Sequence, residues 1–298
     1  MFSSTSPATV RSKAGAILRV TSGNFLEQFD FFLFGFYATY IAHTFFPASS
    51  EFASLMMTFA VFGAGFLMRP IGAIVLGAYI DKVGRRKGLI VTLSIMAAGT
   101  FLIVLIPSYQ SIGLWAPLLV LTGRLLQGFS AGAELGGVSV YLAEIATPGR
   151  KGFYTSWQSG SQQVAIMVAA AMGFALNALM EESAIREWGW RIPFLLSSVL
   201  VLLGLWIRKD IDETPDFKKV KQSGQVAKAP LRDTLKHHWR EVLIAAGLKV
   251  VETAPFYIFS TFVVSYATTM LTYQKSQALE AVTLGALVAT IMIPLMGL

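Results

Sequence analysis

The feature that most constrains this chain is the recurrence of apolar runs separated by short turns in which the charge collects. A helix needs roughly 20 residues to cross a bilayer, and run after run here reaches that length. Hydrocarbon offers no water to the backbone, so each crossing segment must close its own hydrogen bonds, and a run of this length does so as a helix. Hydrophobic residues make up 54% of the chain and charged ones 14%. A soluble domain carries about a quarter charged residues. The expected class is therefore an all-α polytopic membrane protein.

Taken in order, residues 1–17 read as a Ser/Thr-rich tail. Helix 1 is predicted from Leu18 to Thr44. Ser50 is a candidate cap for helix 2, which runs to Ile80. Helix 3 covers Leu89 to Ile106 and stops at Pro107, helix 4 Trp115 to Ala143, helix 5 Phe153 to Met180, and helix 6 Trp190 to Ile207. Residues 18–207 thus form a six-helix bundle. Residues 208–240 are polar and basic, and read as a linker holding a short surface helix. Residues 241–298 begin a second bundle, with helix 7 from Val242 to Leu271 and helix 8 from Ala278, and that bundle reads as truncated. Lys and Arg crowd the tail, the turns after helices 2 and 4, and the linker. The loops after helices 1 and 3 hold none. That asymmetry puts the N-terminus on the cytoplasmic side of the membrane.

Several classes drop out. There is no cysteine, and His43, His237 and His238 show no HExxH spacing, so no metal or cofactor is expected. No Walker-type glycine loop and no nucleophile–base constellation appears, which argues against a pump or an enzyme. The net charge of +7 belongs in cytoplasmic loops beside anionic lipid. No aromatic-interleaved basic face accompanies it, so nucleic acid is not an expected partner. A monomer in the lipid bilayer is expected.

Charges inside the apolar runs are costly and are functional candidates by default. Glu27 and Asp30 share a face of helix 1, and Asn24 extends the stripe. Asp30 lies roughly 16 to 18 Å from the inner end of helix 1, and Arg124 roughly 14 Å from the outer end of helix 4, so the two fall at similar depth. A static ion pair and a titrating one are both open readings. Arg69 on helix 2, followed by Pro70, suits either a neighbouring helix or a substrate. Lys249 and Glu252 on helix 7 either neutralise each other or leave Lys249 to attract an anion. Gln158 and Gln162, on a polar face of helix 5 with Ser156, Ser159, Ser161 and Gln163, either line a cavity or bond a neighbouring helix. Gly128, Gly132 and Gly136 repeat every four residues on helix 4 and predict close backbone approach. Gln127 and Glu134 lie off that stripe. Phe29, Phe31, Phe32, Phe34 and Phe36 surround helix 1 and read as packing or lipid-facing residues.

Between helices 2 and 3 stands GAYIDKVGRRK, residues 77–87. Gly84 suits the tight turn, and the three bases hold it on one side of the membrane. Asp81 adds little to topology and implies a specific contact. The pattern resembles the signature loop of the major facilitator superfamily. GNFLEQFDFFLFG at 23–35, MRPIGA at 68–73, GRLLQGFSAGAELGG at 123–137, AEIATPGRKG at 143–152 and WGWRIPF at 188–194 are similar to its metabolite:proton symporter branch. Residues 14–195 resemble the citrate and tricarballylate proton symporters, whereas residues 248–268 look more like shikimate- or betaine-type carriers. The Glu144…Arg150 pair and Glu213-Thr214-Pro215 resemble inner-gate motifs shared with the sugar porters.

The resemblance implies two six-helix halves rocking about a central site, and a proton-coupled importer of an organic anion such as citrate. Another small-metabolite symporter or a transport-incompetent fragment are the alternatives. It implies proton coupling at Asp30, with Glu27 and Arg124. Substrate contacts would come from Asn24, Arg69, Arg124, Gln127, Gln158, Gln162 and Lys249. Gating would fall to Gly77, Asp81, Gly84, Arg85, Arg86, Glu144, Arg150 and Glu213.

Overall fold

The computed structural model describes residues 7–224, 230–257 and 275–298, and these are helical throughout apart from short connections. The spans are α1 (Pro7–Phe36), α2 (Ala38–Phe45), α3 (Glu51–Val83), α4 (Arg85–Leu105), α5 (Tyr109–Ile112), α6 (Trp115–Ile145), α7 (Lys151–Leu179), α8 (Glu182–Ala184), α9 (Arg191–Arg208), α10 (Pro215–Gln222), α11 (Pro230–His237), α12 (Trp239–Tyr257) and α13 (Lys275–Met296), with a π-helical turn at Ile185–Gly189. Four of them are apolar and long enough to cross a membrane by composition alone: α3, α4, α9 and Lys151–Leu176 of α7. α1 and α6 are of similar length and carry buried charges, among them Glu27, Asp30, Arg124 and Glu134.

The ends follow from local chemistry. Ser50 takes extended backbone and its Oγ accepts from the Ala53 N–H at 3.2 Å, with Glu51 in the first turn. Ile106, before Pro107, is extended and stops α4. Thr214 caps α10, with Pro215 in its first turn. Gly84 has φ +106° between α3 and α4, and a Cβ there would overlap the Glu213 carboxylate.

Helix 1 of the sequence reading differs most. It starts earlier, at Pro7, and is interrupted at Tyr37, so its last turns form the separate α2. The linker holds two short helices, α10 and α11, rather than one. The segment 258–271 assigned to helix 7 lies outside the described residues.

α6 is central. It packs along α3 and α4, while α1 packs on α7 and α9, and α13 lies against α7. In lipid, apolar side chains gain little by leaving the solvent, so close backbone contact carries much of the association. α3 and α6 achieve this through glycines: a Cβ on Gly128 would overlap the Gly65 backbone, and one on Gly132 the Arg69 carbonyl. Gly136 faces open space, which corrects the three-glycine stripe. The stripe drifts off the contact after two turns, because a four-residue repeat exceeds the 3.6-residue helical turn. An aromatic core of Phe29, Phe34, Phe45, Trp190 and Phe194 fills one end of the bundle. Side chains such as Leu67, Ile74, Val199 and Leu202 point outward, as suits lipid contact. Phe36 joins them, whereas Phe29 and Phe34 are fully buried.

Candidate functional site

Asp30 and Arg124 meet inside the bundle, both almost wholly buried. The Arg124 Nη1 to Asp30 Oδ2 distance is 3.6 Å, longer than a charge-assisted hydrogen bond. Gln127, one helical turn from Arg124, fills the gap. Arg124 Nη1 donates to its Oε1 at 2.6 Å, and its Nε2 donates to Asp30 Oδ2 at 2.6 Å and to Thr100 Oγ1 at 3.0 Å. Ser197 Oγ donates to Asp30 Oδ1 at 3.3 Å. The pair is therefore linked through an amide and held by α1, α4, α6 and α9.

Only part of Arg124 is used. Its Nε and Nη2 are buried and have no hydrogen-bond partner among the described residues. Its guanidinium lies 3.6 Å from the centroid of the Phe34 ring, a cation–π contact that holds a charge without consuming its N–H donors. Glu27 is also buried, and its Oε2 has no partner among the described residues. Arg69 stands over the rings of Phe66 and Phe31, at 4.6 and 5.1 Å. Glu27, Asp30, Arg69, Arg124 and Gln127 line one cavity of about 20 Å³, room for about one water molecule.

Other candidates lie elsewhere. Asn24 is buried and donates to the Gln158 carbonyl at 2.9 Å and Ser161 Oγ at 2.8 Å, while Gln158 and Gln162 reach its Oδ1 at 3.4 Å. The polar face of α7 thus bonds α1 and does not line the cavity. Lys249 is exposed on α12 and does not line it either.

A second buried ion pair was not legible as such. Glu134 on α6 pairs with Arg208, the last residue of α9, which is fully buried. Arg208 Nη1 also donates to the Leu89 carbonyl at 2.6 Å and Nη2 to the Val20 carbonyl at 3.1 Å, and Thr92 donates to Glu134 at 2.6 Å. Gly23 makes the room, since a Cβ there would overlap the guanidinium. Arg208 read as the first linker residue because it follows a complete span. An acid midway along α6 was the available signal that a buried cation had to exist.

The turn at 84 gathers the remaining charges. Arg85 Nη1 reaches Asp81 at 2.6 Å, and Nη2 reaches Glu144 at 3.2 Å. Glu213 accepts from the Arg85 N–H at 2.9 Å and from the Arg86 N–H at 3.3 Å, so a carboxylate caps the N-terminus of α4. Arg150 does not join. It is exposed at the start of α7, and the partner of Glu144 is Arg85. Gly77 sits on α3 with open space beside it.

This arrangement has known relatives. The sugar (and other) transporter family profile matches residues 16–249. The chain belongs to that family, within the major facilitator superfamily. Members of the family are transporters. A citrate-proton symporter of Klebsiella pneumoniae is 66% identical over 99% of this chain and 67% of its own length. One from Salmonella typhi is 58% identical over 98% and 67%. The alpha-ketoglutarate permease of Escherichia coli is 38% identical over 96% and 66%. The chain spans about two thirds of the length of these relatives. The stretch matched to the citrate-proton symporters takes in almost the whole chain. The fold is that of the proton:xylose symporter XylE bound to 6-bromo-6-deoxy-D-glucose (TM-score 0.71, 17% identity, covering 95% of this chain and 68% of that one). A partially occluded inward-open XylE from E. coli also matches (TM-score 0.64, 15% identity, 96% and 70%). The chain is thus a multi-pass transporter segment of the major facilitator fold.

Proposed function

We propose that this chain forms the greater part of a proton-coupled symporter that imports citrate or a related tricarboxylate by alternating access. The observation that carries the reading is the half-used Arg124. One edge is tied through Gln127 to Asp30, and the Nε–Nη2 edge is free to grip a carboxylate bidentately. Arg69, which lines the same cavity, supplies a second cation for a multiply charged anion. The names of the citrate-proton symporters among its relatives support the substrate class.

In this reading Asp30 is the coupling acid. A substrate carboxylate that draws Arg124 away leaves Asp30 with Gln127 and Ser197 alone, and a proton then replaces the lost cation. Glu27, on the same cavity, is the next carboxyl in line. The cavity is far too small for a tricarboxylate, so the site widens where the two halves of the carrier part. Gly77, Asp81, Gly84, Arg85, Arg86, Glu144 and Glu213 belong to the inner gate, with the first six-helix bundle spanning residues 18–207. Asn24, Gln158 and Gln162 support the site by joining α1 to α7. The carrier works as a monomer in a bacterial inner membrane, N-terminus inside.

The test is uptake of labelled citrate into proteoliposomes holding the intact carrier, with and without an imposed pH gradient. Accumulation should require the gradient and be competed by tricarballylate more than by shikimate or betaine. Gradient-independent uptake, or stronger competition by betaine, would overturn the reading.

A further inference from the structure

A second concavity, of about 570 Å³, lies outside the transport cavity, between the start of α4 and the short helix α10. Its rim carries Arg86, Lys87, Lys218 and Lys221. Arg86 spends one nitrogen on the Lys209 carbonyl, and none of the four forms an ion pair among the described residues. The single acid on the rim, Glu213, has its carboxylate turned to main-chain N–H groups of residues 85, 86 and 214. Among the described residues that line it, four cations face one carboxylate, so the concavity keeps an excess of positive charge. Its floor is apolar: Phe217, which is 8% exposed, and the half-buried Val83 and Ile90. Val83 ends α3 and Ile90 lies in the second turn of α4, both apolar enough to cross a membrane. The concavity therefore sits where bilayer meets water.

We propose that this concavity binds the headgroup of an anionic phospholipid. The four cations match a phosphodiester, and the apolar floor matches the glycerol and first methylenes of an acyl chain that continues into the bilayer. A free phosphate would use the rim and gain nothing from the floor. α10 contributes to the site with two lysines three residues apart, on the same side as Phe217. Lys219 on the same helix is not on the rim and pairs with Asp216 at 3.6 Å. A bound lipid would brace α10 against the turn at Gly84, and so against the Glu213 cap.

The experiment uses the 298-residue chain purified in a neutral detergent and a tail-labelled phosphatidylglycerol, with binding read by fluorescence anisotropy. Saturable binding is expected, and phosphatidylcholine should not compete. A basic residue near an anionic lipid contributes about 1 kcal/mol, so Lys218→Ser/Lys221→Ser should weaken binding about thirtyfold. Lys219→Ser should leave it unchanged, and all variants should keep the helical circular dichroism of the parent. Equal weakening by Lys219→Ser, or equal competition by phosphatidylcholine, would reduce the effect to general surface charge and overturn the site. Displacement by millimolar inorganic phosphate would reassign it to a soluble anion.

Discussion

Removing Arg208 alone should be among the most damaging single changes in the bundle. The residue is fully buried, pairs with Glu134, and donates to two main-chain carbonyls. Arg208→Met keeps a long flexible side chain beside Gly23 but strands the Glu134 carboxylate with only Thr92. Breaking one partner of a buried pair costs about 3–5 kcal/mol, because the survivor keeps its charge and loses its compensation. Glu134→Leu should cost a similar amount by stranding the guanidinium. Replacing a buried pair by apolar groups is often nearly neutral. The double variant should therefore be more stable than either single one, by about 2 kcal/mol or more. The assay is reversible unfolding of the purified chain in mixed micelles with increasing denaturing detergent, followed by helical circular dichroism. If the two losses simply add, or if Arg208→Met costs under about 1 kcal/mol, the pair is not coupled and the argument from desolvation fails.

Asp30→Asn in the intact carrier should abolish accumulation driven by a proton gradient but retain counterflow. Arg124→Lys should impair both, since an ammonium lacks the guanidinium fork; the two assays are run on the same reconstituted variants. Gly128→Val and Gly132→Val should prevent assembly, while Gly136→Val, facing open space, should behave as the parent in size-exclusion profiles of expressed protein. Cysteines introduced singly at Ser49 and Glu182 should react with an impermeant thiol reagent on intact cells, and those at Lys82 and Lys151 should not. The reverse pattern would invert the topology.

What the sequence made legible was whatever depends on one helix at a time. Hydropathy gave the spans, Ser50 announced its cap, and counting residues along two helices put Asp30 and Arg124 at one depth. The bond from Asn24 to the polar face around Gln158 was not of that kind, since neither stripe shows which neighbour it meets. Contacts that depend on how helices rotate against each other were hidden. Gln127 stood out as a polar residue off a stripe and, through the resemblance, as a substrate contact, yet it bridges the central pair, because α6 turns that side toward α1. Arg208 looked like solvent-exposed linker because charge at the end of a span is normally outside, and only its partners on α6, α4 and α1 show that it is buried. Glu144 was tied to Arg85 by a loop-to-helix contact 59 residues apart, a separation that no local pattern encodes.

The Glu213 cap has a mechanical meaning. The chain leaves α9 through residues 209–214, and this exit is fastened at both ends. Arg208 anchors its start inside the bundle, and Glu213 fastens its end to the first N–H groups of α4. A pull on α10 is therefore met at the turn at Gly84 before it reaches α9. That turn has almost no slack, since Asp81 and Glu144 already hold its arginine. Whatever moves beyond residue 215 thus acts on the first bundle as a lever acts on its fulcrum, at one short backbone turn.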